Sequence, residues 1–153
     1  LIEEKVDFVL IGGFAAVAHG SSMITQDIDV CCRFSACNLR KLHQAVDELH
    51  PVHRMLSDRR PFSKDDDFAT FKNLYLDTDA GQLDCLSEVK GIGSYDDVEG
   101  LSISISIPGG ECRVLSLEGL IQSKTALNRP KDALAIAELR AIKEKITDEQ
   151  DSS

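Results

Sequence analysis

The chain is 153 residues long, 42% hydrophobic and 28% charged, with a formal net charge of −9. That size and balance describe one soluble domain with room for a real core. The acidic excess argues against a broad, nonspecific nucleic-acid surface, and no apolar run approaches the roughly 18–20 residues of a membrane span.

Taken in order, Val6 to Ile11 reads as a buried first strand that closes on Gly12-Gly13. A short apolar helix from about Phe14 to His19 follows, apolar nearly all round and so expected to be buried, with Gly20 as its C-cap. His19 reads as a helix-end residue with a satisfied ring. The second strand is Asp27 to Cys32, with Ile28 directed to the core. Ser35 caps a helix running to about Leu49, whose buried stripe is Leu39, Leu42, Val46 and Leu49, and Pro51 ends it. Ser57 to Asp67 is polar and charged and reads as a mobile loop. Thr70 to Asp77 and Gln82 to Ser87 are strands joined by a hairpin turn at Thr78-Asp79-Ala80-Gly81.

Gly91 to Asp97 is a loop with one helical turn near Tyr95. Leu101 to Ile107 alternates strictly, a half-buried strand with its serines outward, and Glu111 to Leu115 is a further short strand. Ser116 caps a helix to about Leu127 with Leu117, Leu120, Ile121 and Leu127 inward. Pro130 suits the first turn of a last helix whose stripe is Leu139, Ile142 and Ile146. Residues 1–147 are thus expected to form one α/β (α+β) domain, a mixed sheet flanked by helices with a C-terminal helical pair. Residues 148–153 are expected to be a disordered acidic tail.

The five cysteines, Cys31, Cys32, Cys37, Cys85 and Cys112, form no CxxC pair and read as reduced thiols of a cytoplasmic protein. No signal peptide is read in the chain.

Chemistry concentrates around the glycine turn and the two acids that follow it. Glycines entering a helix offer bare backbone N–H groups to a phosphate. Asp27 and Asp29, two apart on a strand, point to one face. Two like charges side by side repel, and a divalent cation would reward the arrangement. Gly-Gly and Asp-x-Asp are each common; their order and spacing point to a nucleoside triphosphate and its magnesium. Asp84, between Leu83 and Cys85, is a third acid in an apolar strand, costly there unless it meets water, a partner or a metal. If its strand lies beside the second one, three acids could hold two metal ions about 4 Å apart.

The ordered set of Gly12-Gly13, His19-Gly20, Thr25, Asp27-x-Asp29 and the Asp84 strand resembles the DNA polymerase β-like nucleotidyltransferase superfamily. The resemblance is to its small branch, which includes minimal nucleotidyltransferases and AbiEii-like proteins from the toxin side of toxin–antitoxin pairs. Leu117-Glu118-Gly119-Leu120-Ile121-x-x-Lys124 and Arg129-Pro130-Lys131-Asp132 extend it over nearly the whole chain. It implies transfer of a nucleoside monophosphate from an NTP to an acceptor, with release of pyrophosphate. Two magnesium ions are implied, with manganese as an alternative. Asp27 and Asp29 would bind both ions, and Asp84 would bind the catalytic ion and help deprotonate the acceptor. Gly12, Gly13, Ser22 and Lys124 would hold the nucleotide, with Ser22 as either a phosphate contact or a turn cap. Arg129 and Lys131 would either add positive charge or simply sit near a helix terminus, and Asp132 would sit in a helix's first turn.

One departure stands out: Met23 occupies a place where relatives carry Arg. It keeps open a noncatalytic nucleotide-binding domain of the same fold, while the family resemblance alone leaves a toxin–antitoxin component as a further alternative. The acceptor is a small molecule, a protein side chain or an RNA end. So small a chain offers little wall for it, and a homodimer or a partner protein is therefore expected.

Overall fold

The computed structural model describes residues 1–22 and 27–151. Strand β1 (Phe8–Ile11) turns Val9 and Ile11 inward. Helix α1 (Gly12–Ala18) follows with no linker and begins two residues earlier than its apolar pattern suggests. The reason is Gly12, which makes the reversal itself at φ +67°. Only part of α1 is buried: Ala15 and Ala16 face the core while Val17 is 42% exposed. His19 ends the helix, its Nε2 2.8 Å from the Leu115 carbonyl oxygen, the satisfied ring expected of it.

Strand β2 (Ile28–Cys32) buries Val30, Cys31 and Cys32, whereas Ile28, expected in the core, is 39% exposed. Helix α2 (Ala36–Val46) is capped by Ser35, whose side chain accepts the Asn38 N–H. It buries Leu39, Leu42 and Val46. The chain tightens into a 3-10 turn at Asp47–Leu49, which swings Leu49 off the stripe and leaves it exposed. Strand β3 (Val52–His53) has no sequence signal because it is only two residues long. Strands β4 (Asn73–Thr78) and β5 (Gly81–Leu86) form the expected hairpin.

A small two-stranded ribbon follows, β6 (Glu88–Val89) and β7 (Gly93–Ser94), where a loop is expected. It leads into helix α3 (Tyr95–Gly100), entered through a capping box of Ser94 and Asp97. Strands β8 (Ser102–Ile107) and β9 (Gly110–Leu115) pair antiparallel. Helix α4 (Leu117–Leu127) is capped by Ser116, which accepts the Gly119 N–H. A 3-10 turn at Pro130–Asp132 starts helix α5 (Ala133–Asp151). Where a tail is expected from residue 148, the backbone continues as helix to Asp151.

Seven strands form one sheet in the order β3-β4-β5-β2-β1-β9-β8. β2 lies parallel to β5 and β1 to β9, and the other neighbours are antiparallel, so the sheet is mixed as expected. Side chains alternate across it into two cores. One gathers Val9, Ile11, Val114, Leu115, Leu120 and Leu139 between the sheet and α1, α4 and α5. The other gathers Val30, Leu39, Leu42, Leu74 and Leu76 under α2.

Three expectations about exposure change. The 57–67 segment is not a detached loop: Phe62 is 2% exposed, edge-on to His43 and His53. Asp66 is half-buried beside it, with Oδ2 3.0 Å from His53 Nε2. The isoleucines of β8 are less covered than their alternation suggests, Ile103 being 44% and Ile107 39% exposed. Leu127 and Ile146 likewise surface at the ends of their helices. Four cysteines are buried, Cys37 is exposed, and all five are free thiols. Burial pushes Cys31 up to about 12, so it is a core hydrophobe rather than a nucleophile. Among the described residues no helix is long and apolar enough to cross a membrane.

Candidate active site

Strand pairing brings two of the three predicted acids together. Asp29 on β2 is in register with Asp84 on the parallel strand β5, so both side chains leave the same face of the sheet. On its other side Asp29 pairs with Ile11, the last residue of β1 before the glycine turn. The turn lies directly against the acid: a Cβ on Gly12 would come within 2.6 Å of Asp29 Oδ2. Glycine at this position is what lets the backbone approach the carboxylate. Asp27 immediately precedes β2, and its charge reaches Asp29.

Asp29 is half-buried, and its carboxyl is held above the usual range. Burial is the largest cause, followed by the negative charges of Asp84 and Asp27, which Arg54 and Lys124 only partly offset. A site that raises a carboxyl through neighbouring carboxylates is one short of positive charge.

Asp29 and Asp84 open onto a cleft of about 670 Å³. Ile11, Gly12 and Gly13 form one wall, Asn73 and Tyr75 of β4 another, and Ser123 and Lys124 of α4 a third. Lys124 Nζ lies 3.5 Å from Asp132 Oδ1, and Arg129 Nε lies 2.5 Å from Asp132 Oδ2. Asp132 is therefore more than a first-turn acid. It is 5% exposed and ties together two cations that line the cleft. Burial works against its ionisation, but the hydrogen bond from Arg129 and the charges of Lys124 and Arg129 outweigh it and hold the carboxyl low.

The predicted site residues do not all converge. Ser22 is turned to α5 instead of the cleft: its amide and hydroxyl donate to the two carboxylate oxygens of Glu138, at 3.2 and 3.0 Å. A local pattern carries no sign of a partner more than a hundred residues away. Asp27 does not line the cleft either. Met23 and Thr25 lie outside the described residues. One important group has no marker in the sequence. Arg54, just past β3, donates through Nη2 to Asp84 Oδ1 at 2.5 Å, while its Nη1 lies 3.5 Å from Asp77 Oδ1. Its backbone N–H donates to the Tyr75 carbonyl at 2.8 Å, which fixes the start of the side chain.

Asp29 and Asp84 form an all-oxygen donor pair of the kind magnesium prefers, beside a cleft wide enough for phosphates. Among the described residues no three His, Cys, Asp or Glu side chains are already grouped to hold a metal ion, and Arg54 is the cation now on Asp84.

No family model matches the chain, and no curated protein does. Solved structures do. TM1012 of Thermotoga maritima, a candidate nucleotidyltransferase, superposes with a TM-score of 0.57 at 19% identity, over 90% of this chain and 84% of its own. ANT(2")-Ia, solved in complex with adenylyl-2"-tobramycin, superposes with a TM-score of 0.58 at 16% identity, over 97% of this chain and 84% of its own. The chain has the nucleotidyltransferase fold. In this version of the fold the glycine turn, Asp29 and Asp84 meet on three adjacent strands, β1, β2 and β5.

Proposed function

We propose that the chain is a magnesium-dependent nucleotidyltransferase that moves a nucleoside monophosphate from an NTP to an acceptor hydroxyl. The observation that carries this reading is the register pairing of Asp29 with Asp84 directly against Gly12. The fold shared with the two solved structures supports it. The acceptor oxygen forms a bond to the α-phosphorus, the bond to the bridging oxygen of pyrophosphate breaks, and the acceptor proton passes to Asp84 or to water. Asp29 and Asp84, with Asp27 beside them, would hold magnesium, which supplies positive charge against the triphosphate and lowers the pKa of the attacking hydroxyl. The backbone at Gly12-Gly13 can approach phosphate oxygens closely because no Cβ intervenes. Lys124 and Arg129 face the same cleft and would attract the triphosphate, and Asp132 holds them in place. Arg54 Nη2 lies on Asp84 Oδ1, so that oxygen can meet the acceptor hydroxyl only once the arginine has moved off it.

A second reading has its own observation. The Arg54–Asp84 ion pair supplies internally the charge a metal would bring, as a nucleotide-binding domain without turnover would allow. The more specific AbiEii-like relationship rests on sequence resemblance alone.

Incubation with each α-labelled NTP, magnesium and cell extract separates the two readings. Transfer predicts label on an acceptor and release of unlabelled pyrophosphate, both lost in Asp27→Ala and Asp29→Ala. Binding without any transfer, or signal that survives both substitutions, would remove the catalytic assignment.

A further inference from the structure

The sheet ends at β8, and that edge is unusually bare. All six residues of β8 pair with β9 on one side, and among the described residues β8 has no sheet neighbour on the other. The strand Ser102-Ile103-Ser104-Ile105-Ser106-Ile107 contains no charge, no proline and no glycine. Proteins ordinarily blunt such an edge with lysine, proline or a bulge, because its free N–H and C=O groups template another strand. Ile103 and Ile107 remain 44% and 39% exposed on the face that carries the core.

We propose that β8 pairs antiparallel with β8 of a second copy of this chain, joining the two sheets across a two-fold axis at Ile105. The strict alternation makes the strand complementary to itself. In an antiparallel pair, directly opposed residues share a face, so Ile103 meets the second copy's Ile107, Ile105 meets Ile105, and Ser104 meets Ser106. The next strand selects this register. Arg113 lies beside Ser104 and Glu111 beside Ser106. Each row across the joined sheets then carries one Arg113 and one Glu111, one from each copy, with two serines between them. A shift of two residues would oppose Ser104 with Ser104 and align Arg113 with Arg113. Arg113 already leans toward β8, its Nη1 donating to Ser102 Oγ at 3.0 Å, and Glu111 accepts from Ser104 Oγ at 3.3 Å. A six-residue seam is smaller than a standard interface of roughly 1,600 Å², so the equilibrium should fall at micromolar concentration.

Sedimentation velocity from low micromolar to about 0.5 mM should show a monomer–dimer equilibrium. Ile103→Lys with Ile107→Lys opposes like charges on the seam and should weaken dimerisation at least tenfold without unfolding the chain, as checked by circular dichroism. Cross-linking tests the register whether or not that variant folds. In a Cys37→Ser background, a mixture of Ser104→Cys and Ser106→Cys chains should form a disulfide-linked dimer under mild oxidation, whereas Ser104→Cys alone should not. A chain that stays monomeric throughout overturns the proposal. So does a dimer indifferent to the lysines, or cross-linking by Ser104→Cys alone.

Discussion

Arg54 and Asp84 form a short ion pair, Nη2 to Oδ1 at 2.5 Å, on the carboxylate that pairs in register with Asp29. The side chains are 19% and 22% exposed, so the contact is shielded. Arginine is thus the resident counter-charge of the acid that would share a magnesium ion, and on the proposed function the two cations would compete for one carboxylate.

This competition is measurable. Arg54→Gln should lower the magnesium or manganese concentration needed for half-maximal turnover by roughly tenfold, the scale of removing one partly shielded charge. Manganese titration followed by electron paramagnetic resonance reads the same shift without turnover. An unchanged midpoint would mean the arginine does not oppose the metal.

Asp29 carries a stability cost. Its folded-state carboxyl lies above the ordinary 3.8, burial being the largest cause. The folded chain therefore holds the proton more tightly than the unfolded chain. Stability falls as pH rises through the window between the ordinary value and the raised one, and the full penalty applies above it. Asp29→Asn should abolish nucleotide transfer yet raise the melting temperature at pH 7 by about 2–4 °C. The gain should shrink below the window. Calorimetry at pH 7 and at about pH 3, below the window, gives the comparison.

Gly12→Ala should damage the site without altering any charge. The backbone there is left-handed at φ +67°, and the new methyl would come within 2.6 Å of Asp29 Oδ2. A loss of about 1–3 kcal/mol in urea unfolding is expected, with turnover falling far more than the remaining folded fraction.

Lys124→Ala should raise the KM for the NTP by roughly tenfold with a smaller effect on kcat, the signature of lost ground-state binding. Asp132→Asn should do the same by releasing both Lys124 and Arg129, and should destabilise the chain by roughly 1–3 kcal/mol as a buried partner is lost. Steady-state kinetics across NTP concentrations separate these effects.

Phe62→Ala should free the 57–67 segment. The side chain is 2% exposed and touches Phe68, His43 and His53. A loss of about 3–5 kcal/mol is expected, along with faster proteolysis within residues 57–67.

What the sequence determined by itself was local. Alternation marked the β4–β5 hairpin and β8, hydroxyl caps at Ser35 and Ser116 marked two helix starts, and Gly12-Gly13 with Asp29 marked one side of the candidate cleft. These signals are readable because hydrogen-bond period, capping and turn sterics act within a few residues. The tertiary structure decided the partners. Only the order β5-β2-β1 sets Asp84 beside Asp29. Arg54 meets Asp84 from 30 residues away, and Glu138 meets Ser22 from 116. Coverage was decided there too, since alternation assigns Ile103 to a face but not what lies over it. Charge pairing and burial depend on distance in space, and chain spacing does not encode that distance.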